Sequence, residues 1–212
     1  AIHDQAVNGD DSILLVLAAD HVIVDIASFH QAIAGALKDA QDNKLVTFGI
    51  VPVSPETGYG YIQYQAEPGE QTHRVSGFVE KPDLATAETY IAAGNYLWNS
   101  GMFMFSARQY MQELARFQPE MAAITQTAMQ DISHDLDFIR INAAVFSTCP
   151  ANSIDYAVME KTDLARVIPL DAGWNDIGSW SSLWDVNEKD ADGNSVHGDV
   201  MLFDAHNNLV MS

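Results

Sequence analysis

Five apolar residues in a row, Ile13-Leu14-Leu15-Val16-Leu17, run straight into Ala18-Ala19-Asp20-His21. That junction limits the folds open to the chain more than any other segment. A short apolar run bounded by polar residues, here Asp10-Asp11-Ser12 on the upstream side, reads as a buried strand of a parallel sheet. Asp20 is then delivered at the C-terminal end of a central strand, and in open α/β sheets ligands bind at that edge. A second carboxylate, Asp176, sits between turn residues in Gly173-Trp174-Asn175-Asp176-Ile177-Gly178. Two loop carboxylates distant in sequence form a candidate divalent-metal pair for phosphate chemistry, since Mg²⁺ takes oxygen ligands and commonly uses one or two carboxylates beside substrate phosphates. Taken alone, Asp20-His21 reads equally well as a turn or a helix cap.

The segments that follow alternate between strand and helix signals. Asp25 is a candidate N-cap for an amphipathic helix through about Asp42, with Ile26, Phe29, Ile33 and Leu37 on one face. Leu45 to Val53 reads as a second strand, which completes a βαβ unit around the Asp20 loop. Tyr59 to Tyr64 and Arg74 to Val79 alternate about a turn at Pro68-Gly69 and predict a hairpin. Helical patterns cover Leu84–Ala93, Ala107–Arg116, Glu120–Asp131 and Ser153–Lys161, the last capped by Asn152 or Ser153. Between the first two lies Tyr96 to Phe105, apolar and aromatic but interrupted by Asn99-Ser100-Gly101. Leu164 to Pro169, a turn at Asp171-Ala172-Gly173, a short helix from Ser179 and two strand-like runs between Gly198 and Val210 close the chain. The class is α/β with one mixed sheet.

Composition removes several kinds of function. The 212 residues carry 29 acids against 10 bases, a net charge of −19, with no basic cluster. This speaks against nucleic-acid binding and against anionic membrane surfaces. No apolar stretch is long enough to span a bilayer and no secretory signal opens the chain, so a cytoplasmic protein is expected. The one cysteine, Cys149, allows no intrachain disulfide and reads as a buried, inert thiol. No Gly-rich phosphate loop is present; the glycines of Gly58-Tyr59-Gly60 are not followed by a helix.

Other residues carry both a chemical and a structural reading. In Val79-Glu80-Lys81-Pro82, Glu80 suits sugar hydroxyls and Lys81 suits a phosphate, while a solvated pair at a strand end explains them as well. Asn99, an amide in an aromatic stretch, needs a partner in the fold or in a ligand. Asp155 in the first turn and Lys161 at the end of their helix both suit the helix dipole.

Six segments occur together and in order. They are Leu17-Ala18-Ala19-Asp20-His21, Thr57-Gly58-Tyr59-Gly60-Tyr61-Ile62, Phe78-Val79-Glu80-Lys81-Pro82 and Trp98-Asn99-Ser100-Gly101-Met102-Phe103. Then come Ser153-Ile154-Asp155-Tyr156-Ala157-Val158-Met159-Glu160-Lys161 and Trp174-Asn175-Asp176-Ile177-Gly178-Ser179-Trp180. This series, which covers most of the chain, resembles the bacterial mannose-1-phosphate guanylyltransferases of the nucleotidyltransferase family. The resemblance implies a Rossmann-like mixed sheet flanked by helices. It implies guanylyl transfer from GTP to mannose 1-phosphate, giving GDP-mannose and pyrophosphate with Mg²⁺. Asp20 and Asp176 match the family's metal carboxylates. Gly60 matches a glycine whose backbone contacts the sugar, Glu80 the sugar-hydroxyl acceptor, Lys81 the lysine near the sugar phosphate and Asn99 a sugar-contacting amide. Asp155 and Lys161 fall in a motif lining the same pocket.

The family's Gly-rich, Arg-containing N-terminal loop and its Pro-Lys-Gln-like segment are not matched in this sequence. Residues 1–212 are therefore expected to be a partial nucleotidyltransferase domain, the sugar-binding part, incomplete at the N-terminus and without C-terminal domains. Such a piece is expected to be inactive by itself. Its incomplete sheet is expected to self-associate, so a homo-oligomer is expected. Two other readings compete: a non-catalytic sugar-phosphate-binding fragment, and a metal-dependent glycosyltransferase-like domain.

Overall fold

A computed structural model describes residues 11–212. The chain divides into two compact units. One comprises the stretch up to Leu17 together with His30–Leu170, and the other comprises Ala18–Phe29 with Asp171–Ser212.

The first unit is built on a six-stranded mixed sheet. Its strands are β1 (Ile13–Val16), β3 (Leu45–Ile50), β4 (Tyr61–Gln65), β5 (His73–Val79), β6 (Tyr96–Ser106) and β9 (Ala165–Leu170), in the order β1-β6-β3-β9-β5-β4. β3 lies at the centre, every residue of it buried, parallel to β9 and antiparallel to β6. An apolar run buried on both faces is what a central strand of an α/β sheet requires. β4 and β5 form the expected antiparallel hairpin, with an irregularity between Gln63 and Tyr64. β6 is a single strand through Asn99-Ser100-Gly101. The interruption in its pattern is a bulge against β3, between Thr47 and Gly49. Gly101 takes φ +68° there, and the Ser100 hydroxyl donates to the Phe48 carbonyl at 2.5 Å. A bulge bends a strand locally and re-aims its side chains, and the side chain next to this one is Asn99.

β1 departs from the sequence expectation. Among the described residues it is an edge strand, paired only with β6 and antiparallel to it, and Leu15, Val16 and Leu17 are exposed. An apolar run reports that a strand is apolar, not how many neighbours it has. β1 and β3 are still parallel to each other, but β6 lies between them.

Helix α1 (Ile26–Gln41) connects the two. The Asp25 carboxylate accepts from the Ser28 N–H and hydroxyl at 3.0 and 2.6 Å, which is N-cap chemistry. Its buried face is Ala32, Ala36 and Ala40, whereas Ile26 and Leu37 are exposed. Small residues let the helix approach the sheet closely. A side chain at Gly35 would come within 2.9 Å of Ile168.

Helix α2 (Leu84–Ala93) is capped by Asp83 and ended by Gly94 at φ +71°. Helices α3 (Ala107–Phe117) and α4 (Pro119–Gln130) help close one face of the sheet. Leu45, Phe103, Phe105, Leu114, Ala122, Val158 and Met159 pack there in one cluster, each large apolar side chain contributing about 2 kcal/mol by burial. An exposed hairpin, β7 (Ser133–Asp135) with β8 (Phe138–Arg140), and a short helix α5 (Ala143–Phe146) follow. The helix expected over Ser153–Lys161 is a π-helical turn, Asp155–Met159. Cys149 is free and half-buried rather than buried.

The second unit holds two small ribbons and a helix. β2 (Val22–Ile23) pairs antiparallel with β10 (Trp174–Asn175). β11 (Ser195–His197) pairs parallel with β12 (Leu209–Met211), so only the second of the two strand-like runs expected near the C-terminus forms there. Helix α6 (Trp180–Val186) begins at Ser179, whose hydroxyl oxygen accepts the Ser182 N–H. Among the described residues no helix is long and apolar enough to cross a membrane.

Candidate functional site

In the first unit, four of the residues singled out from sequence meet at one end of the sheet. Gly60 precedes β4, Glu80 follows β5, Asn99 lies beside the bulge of β6, and Asp155 opens the π-helical turn. The Asn99 N–H donates to the Gly60 carbonyl at 2.8 Å. Its side-chain Nδ2 donates to Asp155 Oδ1 at 2.9 Å, and its Oδ1 accepts the Gly101 N–H at 3.2 Å. Both ends of the amide are thereby fixed, and its orientation is set by partners 2 and 56 residues away in sequence. Glu80 covers Gly60: a Cβ at position 60 would lie 2.7 Å from Glu80 Oε2.

Lys81 extends toward solvent, its Nζ 3.6 Å from Glu80 Oε1, with the two side chains 64% and 42% exposed. A pair so open to water adds little stability, which leaves the ammonium accessible to a ligand. Lys81 also takes φ +44°, an uncommon backbone state for a side chain of that kind. Lys161 follows the π-helical turn and lines a cavity of about 390 Å³ together with Arg74, Ser76, Glu160 and Thr162.

One functional candidate escaped the sequence reading. The Glu160 pKa is pushed up from its ordinary value, first by desolvation and then by the charges of Asp155 and Glu80, partly offset by Lys161. The Tyr156 hydroxyl is pushed up by desolvation and then by Glu80, Glu160 and Asp155. Three carboxylates therefore share one electrostatic neighbourhood. Such crowding is a mark of binding and catalytic sites. No local signal gives it away, because Glu160 and Glu80 belong to different elements.

In the second unit, Asp20 lies two residues before β2 and Asp176 directly follows β10, so both flank the same end of this antiparallel ribbon in the chain. Trp174 is opposite Ile23 and Asn175 opposite Val22. The ribbon is reinforced: the Val24 and Asp25 N–H groups donate to the Ala172 carbonyl at 3.0 and 2.9 Å. Trp174 Nε1 donates to His21 Nδ1 at 3.2 Å, edge to face. His21 is thus a structural acceptor. The Asp176 loop is fixed by the Asn175 side chain, which accepts the Ile177 N–H at 2.7 Å, and by Gly178, whose N–H donates to Asp176 Oδ1 at 3.1 Å.

Carboxylates such as Asp20 and Asp176 are hard-oxygen donors of the kind that Mg²⁺ takes. Among the described residues no group of three or more His, Cys, Asp or Glu is set to hold a metal ion. A cation at Asp20 and Asp176 would complete its shell with water or with a bound phosphate.

A family model described as nucleotidyl transferase matches residues 1–193. The xanthan biosynthesis protein XanB of Xanthomonas campestris pv. campestris is 56% identical over 200 residues, covering 94% of this chain and 42% of that protein. A mannose-1-phosphate guanylyltransferase of Escherichia coli K12 is 50% identical over 204 residues, covering 94% of this chain and 43% of that protein. The chain thus spans less than half the length of these curated relatives. Among solved structures, a Thermus thermophilus protein described as a mannose-1-phosphate geranyltransferase superposes with a TM-score of 0.78 at 30% identity. The match covers 99% of this chain and 62% of that one.

Proposed function

We propose a function from one premise: the chain belongs to the nucleotidyl transferase family. The reaction is guanylyl transfer from GTP to mannose 1-phosphate, giving GDP-mannose and pyrophosphate. A phosphate oxygen of mannose 1-phosphate forms a bond to the α-phosphorus of GTP, and the bond from that phosphorus to the departing pyrophosphate breaks. Relatives at 50–56% identity that carry guanylyltransferase and xanthan-biosynthesis names support this choice of substrates.

The observation that carries the reading is the cradle of Gly60, Glu80, Asn99 and Asp155. An acceptor carboxylate over a position without a side chain suits a ligand rich in hydroxyl donors. Glu80 accepts sugar hydroxyls, and the prefixed Asn99 amide discriminates among their positions. The accessible Lys81 ammonium holds the sugar phosphate as a point charge, and Lys161 adds positive charge on the same unit. Asp20 and Asp176 would hold Mg²⁺, which, when bound, neutralises phosphate charge. Phosphoryl-type transfers depend on such positioning and charge neutralisation more than on covalent help. Use of GTP as a substrate is consistent with a cytoplasmic protein.

Turnover of GTP and mannose 1-phosphate, followed by pyrophosphate release with Mg²⁺, tests the assignment in the full-length protein. Asp176→Asn is expected to lower kcat about 10²-fold or more while the fold persists. Glu80→Gln is expected to raise KM for mannose 1-phosphate about tenfold, the loss of roughly one hydrogen bond to a charged group, with KM for GTP little changed. Unchanged turnover in Asp176→Asn removes the metal assignment. A collapse of GTP binding alone in Glu80→Gln removes the sugar assignment.

A further inference from the structure

Ile177 occupies a backbone state that its side chain disfavours. Its φ is +48°, and a β-branched residue in the left-handed region is a genuine outlier. Such states persist only where neighbouring groups over-determine them, and they gather at functional sites. The neighbouring group here is the Asn175 side chain, whose Oδ1 accepts the Ile177 N–H at 2.7 Å, the Asx-turn bond by which asparagine shapes the chain two residues on. One bond further, the Gly178 N–H donates to Asp176 Oδ1 at 3.1 Å. A Cβ at Gly178 would lie 3.2 Å from Asp176 Oδ2, so the carboxylate sits close beside Gly178.

We propose that Asn175 is a positioning residue: by holding Ile177 in the left-handed state it aligns the Gly178 N–H with Asp176 and so fixes the carboxylate that would ligate the cation. The proposal rests on the reading that Asp20 and Asp176 hold a divalent ion. The Asn175 backbone pairs with Val22 in the ribbon and needs no asparagine for that pairing. Its half-buried side chain is therefore explained by the turn. The chain of effect is local and directional. Without the acceptor, the Ile177 φ has no reason to stay positive. With a negative φ the Gly178 N–H points elsewhere and Asp176 loses its bond from that N–H. Glycine at 177 reaches positive φ at no steric cost and substitutes for the missing acceptor.

The test is Mn²⁺ binding to the full chain, followed by the loss of the free-ion electron paramagnetic resonance signal, without nucleotide or turnover. Asp176→Asn is expected to weaken binding at least tenfold. Asn175→Ala is expected to weaken it about tenfold, the usual effect of removing a group that orients a metal ligand. The double variant Asn175→Ala with Ile177→Gly is expected to recover most of that loss, which a merely structural asparagine does not predict. Asn175→Asp keeps an acceptor oxygen in the same place and is expected to bind Mn²⁺ no more weakly than the parent. It keeps the proposal falsifiable if the alanine variant fails to fold. Wild-type binding in Asn175→Ala beside a loss in Asp176→Asn overturns the positioning role alone. So does a failure of Ile177→Gly to restore binding, or weakened binding in Asn175→Asp. Unchanged binding in Asp176→Asn overturns the cation reading itself, and the positioning role with it.

Discussion

Gly60 has no room for a side chain. A methyl group there would press on Glu80 Oε2 from 2.7 Å, and the exposed end of that carboxylate is the part free to move. Gly60→Ala is therefore expected to fold normally and to displace Glu80. KM for mannose 1-phosphate should rise about tenfold, equivalent to one hydrogen bond lost, with KM for GTP unaffected. Steady-state kinetics with each substrate varied in turn decide it, and equal damage to both KM values would contradict the geometry. Glu160 makes a second statement at this scale. Its folded pKa is raised by desolvation, and then by Asp155 and Glu80. A raised carboxylate opposes folding once ionised. Its unfavourable contribution is absent below the ordinary value of 4.5, grows as the pH climbs from there to the raised folded value, and is complete above it. Asp155→Asn removes one of the neighbouring charges, so the Glu160 pKa is expected to fall. A carboxyl ¹³C NMR titration of both proteins reads that shift, and an unmoved Glu160 would show that the Asp155 charge does not reach it.

At the scale of elements, the bounds of α2, Leu84–Ala93, were the most legible feature. Asp83 and Gly94 bracket α2 at the boundaries that periodicity alone predicts. Ser106 ends β6 and caps α3, its hydroxyl oxygen accepting the Gln109 N–H at 3.1 Å. Ser106→Ala is expected to cost about 1 kcal/mol, read as a lower urea midpoint at unchanged slope; an unchanged midpoint would mean that the cap is replaced from elsewhere. The π-helical turn at Asp155–Met159 was not legible. Its sequence carries ordinary helix signals, and the wider turn appears only in the fold, where Ala157, Val158 and Met159 are buried in the core. The β7–β8 hairpin was missed for the opposite reason. Its strands are three residues long and exposed, too short for a period to show.

For the whole molecule, burial is uneven. The first unit carries the six-stranded sheet and the apolar clusters behind it. In the second unit, the buried residues are Ala172, Trp174, Asn194 and Ser195. Local opening costs least where few apolar groups are buried. Amides of β3 and β9 are accordingly expected to exchange with solvent slowest, and those of β11 and β12 much faster. Hydrogen exchange followed by mass spectrometry tests this, and uniform protection across both units would contradict it.

The sequence by itself determined the α/β class, most element types, and the ordered motifs that carry Asp20, Gly60, Glu80, Asn99, Asp155 and Asp176. Those features depend on side-chain periodicity and turn chemistry within a few residues, which a linear reading can follow. Only the tertiary structure decided that β1 stands at the edge of the described sheet, that α1 buries alanines rather than Ile26 and Leu37, and that Asn99 finds Asp155. Strand order and helix facing follow from which distant surfaces fit together. That fit depends on backbone pairing and close packing between segments far apart in the chain, and no local pattern records it.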